Sequence, residues 1–243
     1  MPAWLYPLHL RRTIIYSSAC RPCLPNLGLH QRFTAETNSF LPYKSKCTMS
    51  TLPTTQFLGQ LAAHTEAMLQ KAVSSWQMLT HQQFAQKPAP DAWSANECLQ
   101  HLNSYSNYYL PQLEKAFANS KGQQPTPQFT SGWLGGYFTR LMEPSATGTA
   151  FKKMKAPANH TPNTLLPSHQ VIEAFIDNQE RLLQLIREAE KINLRTTKVP
   201  ISIARFICLR AGDVLAFIVA HQLRHVAQAE RAFQAAKASV QPV

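Results

Sequence analysis

Charged residues make up only 15% of this 243-residue chain, and no run of eighteen or more apolar residues occurs in it. The second absence excludes a membrane-spanning helix, because the longest apolar stretch, Val214 to Ala220, has the length of a core helix segment. His-Glu-x-x-His is missing too: Gln222 stands where the general base of a metalloprotease would be. No Gly-x-Ser-x-Gly elbow and no phosphate-binding loop is present, which removes the common serine-hydrolase and nucleotide-binding plans. There is no internal repeat, and no segment alternates long enough to predict a sheet; Thr197 to Ile203 is at most a short extended piece before the last helix. At 44% hydrophobic residues the chain can bury one good core, so a single folded domain is expected.

Residues 1–48 differ from the rest. They hold Arg11, Arg12, Arg21, Arg32, Lys44 and Lys46 against one acid, Glu36, with scattered proline and no periodicity, and they raise the net charge of the whole chain to +11. They are expected to be an unstructured N-terminal extension, with the folded domain over residues 49–243. An acid-poor, arginine-bearing start is also what a targeting segment shows, but Pro22 and Pro25 interrupt an amphipathic helix; an upstream extension from a start-site artefact is the leading reading. Cys20, Cys23 and Cys47 fall in this extension, and Cys20-x-x-Cys23 lacks the second pair a zinc site needs. Cys98 and Cys208 remain in the body, Cys98 reading as core filler. Disulfides are not indicated, which fits a reducing, cytoplasmic compartment.

Four helical segments are predicted. Thr55 to Gln86 carries apolar residues at three and four spacing and ends before Pro88 and Pro90. Ser94 to Asn119 opens with a capping box, Ser94 and Glu97, with Trp93 and Cys98 as a hydrophobic staple; Pro111 kinks this helix rather than ending it. Ser168 to Ile192 has a clear apolar stripe, with Ser168 as its cap, and Gly212 to Ala238 is the fourth. The join from Ser120 to Pro167 is long and rich in proline. Its apolar cluster, Trp133, Leu134, Tyr137, Phe138, Leu141 and Met142, should pack as a short helix, either forming a pocket wall or lying as a simple lid on the core. The expected fold is all-α: a four-helix bundle with one long crossover between helices two and three.

Three histidines carry the chemistry. His221 and His225 lie four apart, one above the other on a helix, and His101 sits two turns into a different helix on a face that carries Tyr105 and Tyr108. A lone His-x-x-x-His is weak evidence, since a histidine near an apolar face is more often a hydrogen-bonded core residue. Here the surrounding run is apolar almost all round, no carboxylate is local, and each buried imidazole needs partners for both ring nitrogens. A metal supplies them.

Trp93-Ser94-x-x-Glu97-x-x-x-His101-Leu102, followed by Gly212-Asp213-x-Leu215-x-Phe217-x-x-x-His221-x-x-Arg224-His225-x-x-Gln228, closely resembles the DinB-like superfamily over Thr55 to Ala236. That resemblance implies a four-helix bundle in which His101, His221 and His225 hold one divalent metal, zinc or nickel. It also implies that the crossover passes near the open side of the metal; an apolar cluster in a loop must bury itself against something, which makes Trp133, Tyr137 and Phe138 pocket candidates, together with Tyr105 and Arg224 near the histidines.

Three protein ligands leave a position open, so a bound thiol or water can be activated as a nucleophile. Relatives in the superfamily include thiol S-transferases, and others were named hydrolases by analogy. The functional expectation is therefore a metal-dependent thiol S-transferase or hydrolase acting on a small-molecule substrate, a low-molecular-weight thiol among the candidates. The alternative is a non-catalytic metal-binding or interaction bundle. No general base is evident: Glu97 is committed to the capping box, and Asp213 lies at a helix start, where the dipole favours a carboxylate. Lys152, Lys153 and Lys155 form the only basic run of the body, too small for a nucleic-acid surface. Neither nucleic acid nor membrane is an expected partner, and a homodimer is left open.

Overall fold

The computed structural model describes residues 51–120, 122–143, 154–162 and 166–238. The expectation for residues 1–48, and two of the three lysines of the basic run, Lys152 and Lys153, lie outside the described residues. The fold is all-α with two small β ribbons. It has six α-helices among the described residues, where four long helices and a short one in the crossover were read from the sequence: α1 (Thr54–Lys71), α2 (His81–Ala85), α3 (Ala95–Asn119), α4 (Trp133–Met142), α5 (Ser168–Glu188) and α6 (Ala211–Ala238). The four long ones surround the core, α1 and α3 each packing against both α5 and α6.

The segment predicted as one helix from Thr55 to Gln86 is broken. Leu58, Leu61, Thr65 and Met68 form the buried stripe of α1, which then widens into a π-helical turn, Ala72–Trp76. That turn places the fully buried Trp76 against Phe84 and Phe175, with ring centroids 5.7 and 6.0 Å away. A second capping box then starts α2: the Gln83 amide donates to Thr80 Oγ1 at 3.3 Å, and the Thr80 amide donates to Gln83 Oε1 at 3.0 Å. Thr80-x-x-Gln83 is a start signal inside what periodicity alone reads as continuous helix.

Helix α3 begins as its capping box predicts. The Glu97 amide donates to Ser94 Oγ at 3.2 Å and the Ser94 amide to Glu97 Oε2 at 2.8 Å, while Lys87 pairs with Glu97 at 3.0 Å. The helix runs on through Pro111 to Asn119. At α5 the prediction for Ser168 fails: Ser168 is the first helical residue behind Pro167 and caps nothing. Its amide instead donates to Nδ1 of His81 at 3.2 Å, so a side chain from α2 serves the orphan donor.

The extended piece is one arm of a hairpin, β3 (Lys198–Ile201) with β4 (Ala204–Arg210), antiparallel, with Lys198 opposite Arg210 and Val199 opposite Leu209. The register shifts between Pro200 and Ile201, which breaks the alternation that would have marked a sheet. The hairpin is fastened to α3: Tyr108 donates its hydroxyl hydrogen to the Ile201 carbonyl at 3.2 Å, and the Ser202 amide donates to the Tyr109 hydroxyl oxygen at 3.2 Å. A shorter ribbon, β1 (Leu52–Pro53) with β2 (Gln128–Phe129), ties the start of α1 to the crossover.

The apolar cluster of the crossover does form a short helix, α4, and it packs on α6. Asp213, buried in the first turn of α6, accepts hydrogen bonds from Ser131 Oγ at 2.5 Å and from the Gly132 amide at 3.1 Å. Its carboxylate thus holds the start of α4 as well as standing at the positive end of its own helix. Gly135 has no room for a side chain, since a Cβ there would overlap Asp213. We therefore expect Gly135→Ala to lower the stability by about 1–3 kcal/mol through overpacking, read from the urea midpoint. Gly59→Ala in α1, where a Cβ meets nothing within 4 Å, should raise it by about 0.5–1 kcal/mol.

Candidate metal centre

His101 on α3 and His221 and His225 on α6 come together between these two helices. One ligand atom from each lies within 4.8 Å of the other two, and His101 Nε2 stands 3.1 Å from His221 Nε2. Spacing on the helices explains it: the α6 pair lies four positions apart, so both rings leave the same face, and the capping box fixes where His101 falls along α3. His101 and His221 are buried and His225 is partly so.

The proton positions follow from the partners. His101 Nδ1 lies 2.7 Å from the backbone carbonyl of His160, and a carbonyl only accepts, so Nδ1 carries the hydrogen. His225 Nδ1 lies 3.0 Å from Oε1 of Gln228 and donates in the same way. When neutral, both rings therefore carry an unprotonated Nε2, and that of His101 faces His221. Burial keeps them neutral: desolvation lowers His101 to about 4 and His225 to about 3, and it holds His221 well below the ordinary histidine value, with repulsion from its neighbours adding to it. Three neutral imidazoles, two of them oriented by bonds through Nδ1, are the donor set of a divalent metal, and the residues present fit one.

The cluster opens into a cavity of about 810 Å³, in the range of small-molecule sites. Trp93 forms part of its wall, with its ring 5.1 Å from His101 and 6.2 Å from His225. Tyr105 borders the cavity as well; its ring lies 4.3 Å from His221 and 3.9 Å from His160, and burial raises its phenol, which stays protonated. Arg224 lines the cavity too and donates to the Leu141 carbonyl at 2.8 Å. The crossover supplies Met142 and the stretch from Met154 to Pro157.

Of the pocket candidates from α4, Trp133 and Tyr137 are not on this wall: they stand in solvent, 75% and 47% exposed. The short helix turns its buried side, Gly135, Gly136, Thr139 and Met142, toward the body, which leaves these two rings outside. Phe138 borders a neighbouring hollow. Cys98 is fully buried, with its thiol pushed up by desolvation, and does not line the cavity.

His160 is the residue sequence reading missed. It sits in a 3₁₀ turn of the crossover, Ala158–His160, with its ring held by Ser104 Oγ at 2.7 Å from Nδ1 and its carbonyl on His101. Its contribution to the cluster is a main-chain atom, which leaves no residue-type signal.

The DinB superfamily model matches residues 62–229, more than half of the chain and all three histidines. The chain belongs to the DinB superfamily. No curated protein and no solved structure matches it.

This member of the superfamily should lose stability in acid. In the unfolded chain a histidine titrates near its ordinary value of 6.5, whereas folded His101 and His225 resist protons down to about 4 and 3. The unfolded state thus binds more protons below pH 6.5, so stability is fully present above that value and falls as pH drops through 4. Urea midpoints of the metal-free protein at pH 7.5, 5.5 and 4.5 should decrease in that order, more steeply than for His101→Ala. A second expectation separates side chain from main chain. Gln228→Ala should weaken zinc affinity about 10–100-fold in a chelator competition, and His160→Ala by less, because the carbonyl that orients His101 remains.

Proposed function

We propose that this protein is a metal-dependent enzyme in which His101, His221 and His225 hold one divalent cation, zinc or nickel, and which acts as a thiol S-transferase or a hydrolase on a small molecule. The observation that carries this reading is the convergence of the three ligand atoms within 4.8 Å on the wall of an 810 Å³ cavity, without a carboxylate in the cluster. Such a cation supplies Lewis acidity, lowering the pKa of a thiol or water so that it becomes a nucleophile at neutral pH. The chain's own residues do the rest. The His160 carbonyl and Gln228 fix the rings, and Trp93 and Tyr105 close apolar faces over them and reduce access of bulk water. Lys155 stands on the same wall and would meet the charge of a carboxylate-bearing low-molecular-weight thiol, the candidate small molecule.

Purified protein should contain about one divalent cation per chain, and His221→Ala should lose it together with any activity while its circular dichroism stays helical. The cobalt-substituted protein should change its visible spectrum when thiols are added. If the loaded protein turns over neither thiol nor ester substrates and its cobalt spectrum is indifferent to them, the non-catalytic binding bundle replaces this reading.

A further inference from the structure

A second hollow of about 140 Å³ opens beside the histidine cavity. The two share walls, since Tyr105, Met142, Met154, Lys155 and Pro157 border both. Its floor is made of Tyr109, Leu209 and Phe217, all buried, and its rim of Ile203 and Met154, both exposed. Position and shape come from the hairpin, which the Tyr108 and Tyr109 hydroxyls hold against α3. Apart from Ser202 and the lysine at the shared edge, the lining side chains are apolar or aromatic. A group placed there gains by leaving water and finds almost nothing to bond to. The histidine cavity is the opposite, with Arg224, Arg231 and Asp91 on its wall.

The geometry points to this side hollow as the site for the apolar end of the ligand, a phenyl ring or a branched chain of five or six carbons, while the polar, reacting end lies at the histidines. The size argument is direct: an apolar cavity of roughly 150 Å³ accommodates benzene. A two-carbon acyl group leaves the hollow unfilled, and a bicyclic ring overfills it. This inference rests on the small-molecule site proposed above and adds its substrate class, a compact apolar group joined to a polar reactive head.

Binding tests it without requiring turnover. Phenylacetamide and acetamide, neutral and inert, are titrated into the metal-loaded full chain by calorimetry. Phenylacetamide should bind at least about tenfold more tightly, the gain expected for a ring leaving water. Ile203→Trp, which narrows the exposed rim, should erase that preference, and Phe138→Ala, which widens the wall, should move it toward naphthylacetamide. Should the rim variant fold poorly, the Phe138 variant decides. Equal affinities in the unaltered protein, or a phenyl preference unchanged in both variants, overturns the inference. A phenyl preference that responds to the variants without turnover of any ester or thiol leaves it standing and removes the enzymatic reading. Turnover of acetyl and phenylacetyl esters at equal efficiency does the reverse.

Discussion

Two imidazoles whose ring nitrogens lie 3.1 Å apart in a buried site cannot both be charged. Much of the molecule around them follows from that. Neutral rings expose lone pairs only if the other nitrogen gives its hydrogen to something, and the acceptors must be supplied locally. For His225 the acceptor is one turn away on the same helix, Gln228. For His101 no side chain on α3 or α6 serves, and the acceptor is the His160 carbonyl from the crossover. The long connection is therefore tied into the centre at one main-chain atom, which makes it part of the site's construction as well as a cover. Asp213 ties its other half, clasping the start of α4 against α6.

Those two attachments explain the shape of the cavity. Between them the crossover brings Met142 and the Met154 to Pro157 stretch over the open side of the histidines, and Tyr105 lies beneath, in contact with His160, His221 and the side hollow at once. The aromatic walls keep bulk water from the rings, and it is that loss of water which holds their pKa values down. Packing and proton affinity are here one effect.

The helices and the histidine triad were legible in the sequence because both obey a local rule: three-and-four periodicity for the long helices, a capping box at Ser94, and a four-residue step between His221 and His225. What lay outside such rules was missed. The break after Trp76 depends on that ring finding Phe84 and Phe175, and only the Thr80-x-x-Gln83 box marked it in the chain. Ser168 looks like a cap by residue type, yet His81 from another helix does that work. The β3–β4 hairpin escaped because the register shift at Pro200 and Ile201 spoils its alternation. Trp133 and Tyr137 were read as pocket walls because large apolar residues in a loop usually bury themselves. The face of α4 that does bury is built from glycines and Thr139, small residues that let the helix lie close to Asp213.

Charge balance carries the proposed chemistry one step further. Three neutral imidazoles offset none of the charge of a divalent cation, and the carboxylates nearest in the sequence are committed elsewhere, Glu97 to Ser94 and Lys87 and Asp213 to Ser131 and Gly132. Under this reading the site is most stable with an anionic ligand in it, because in a partly desolvated cavity uncompensated positive charge is costly and an anion offsets it directly. A thiol or water that gives up its proton becomes such an anion. The same imbalance that would attract a negatively charged substrate therefore favours the deprotonation that makes a nucleophile.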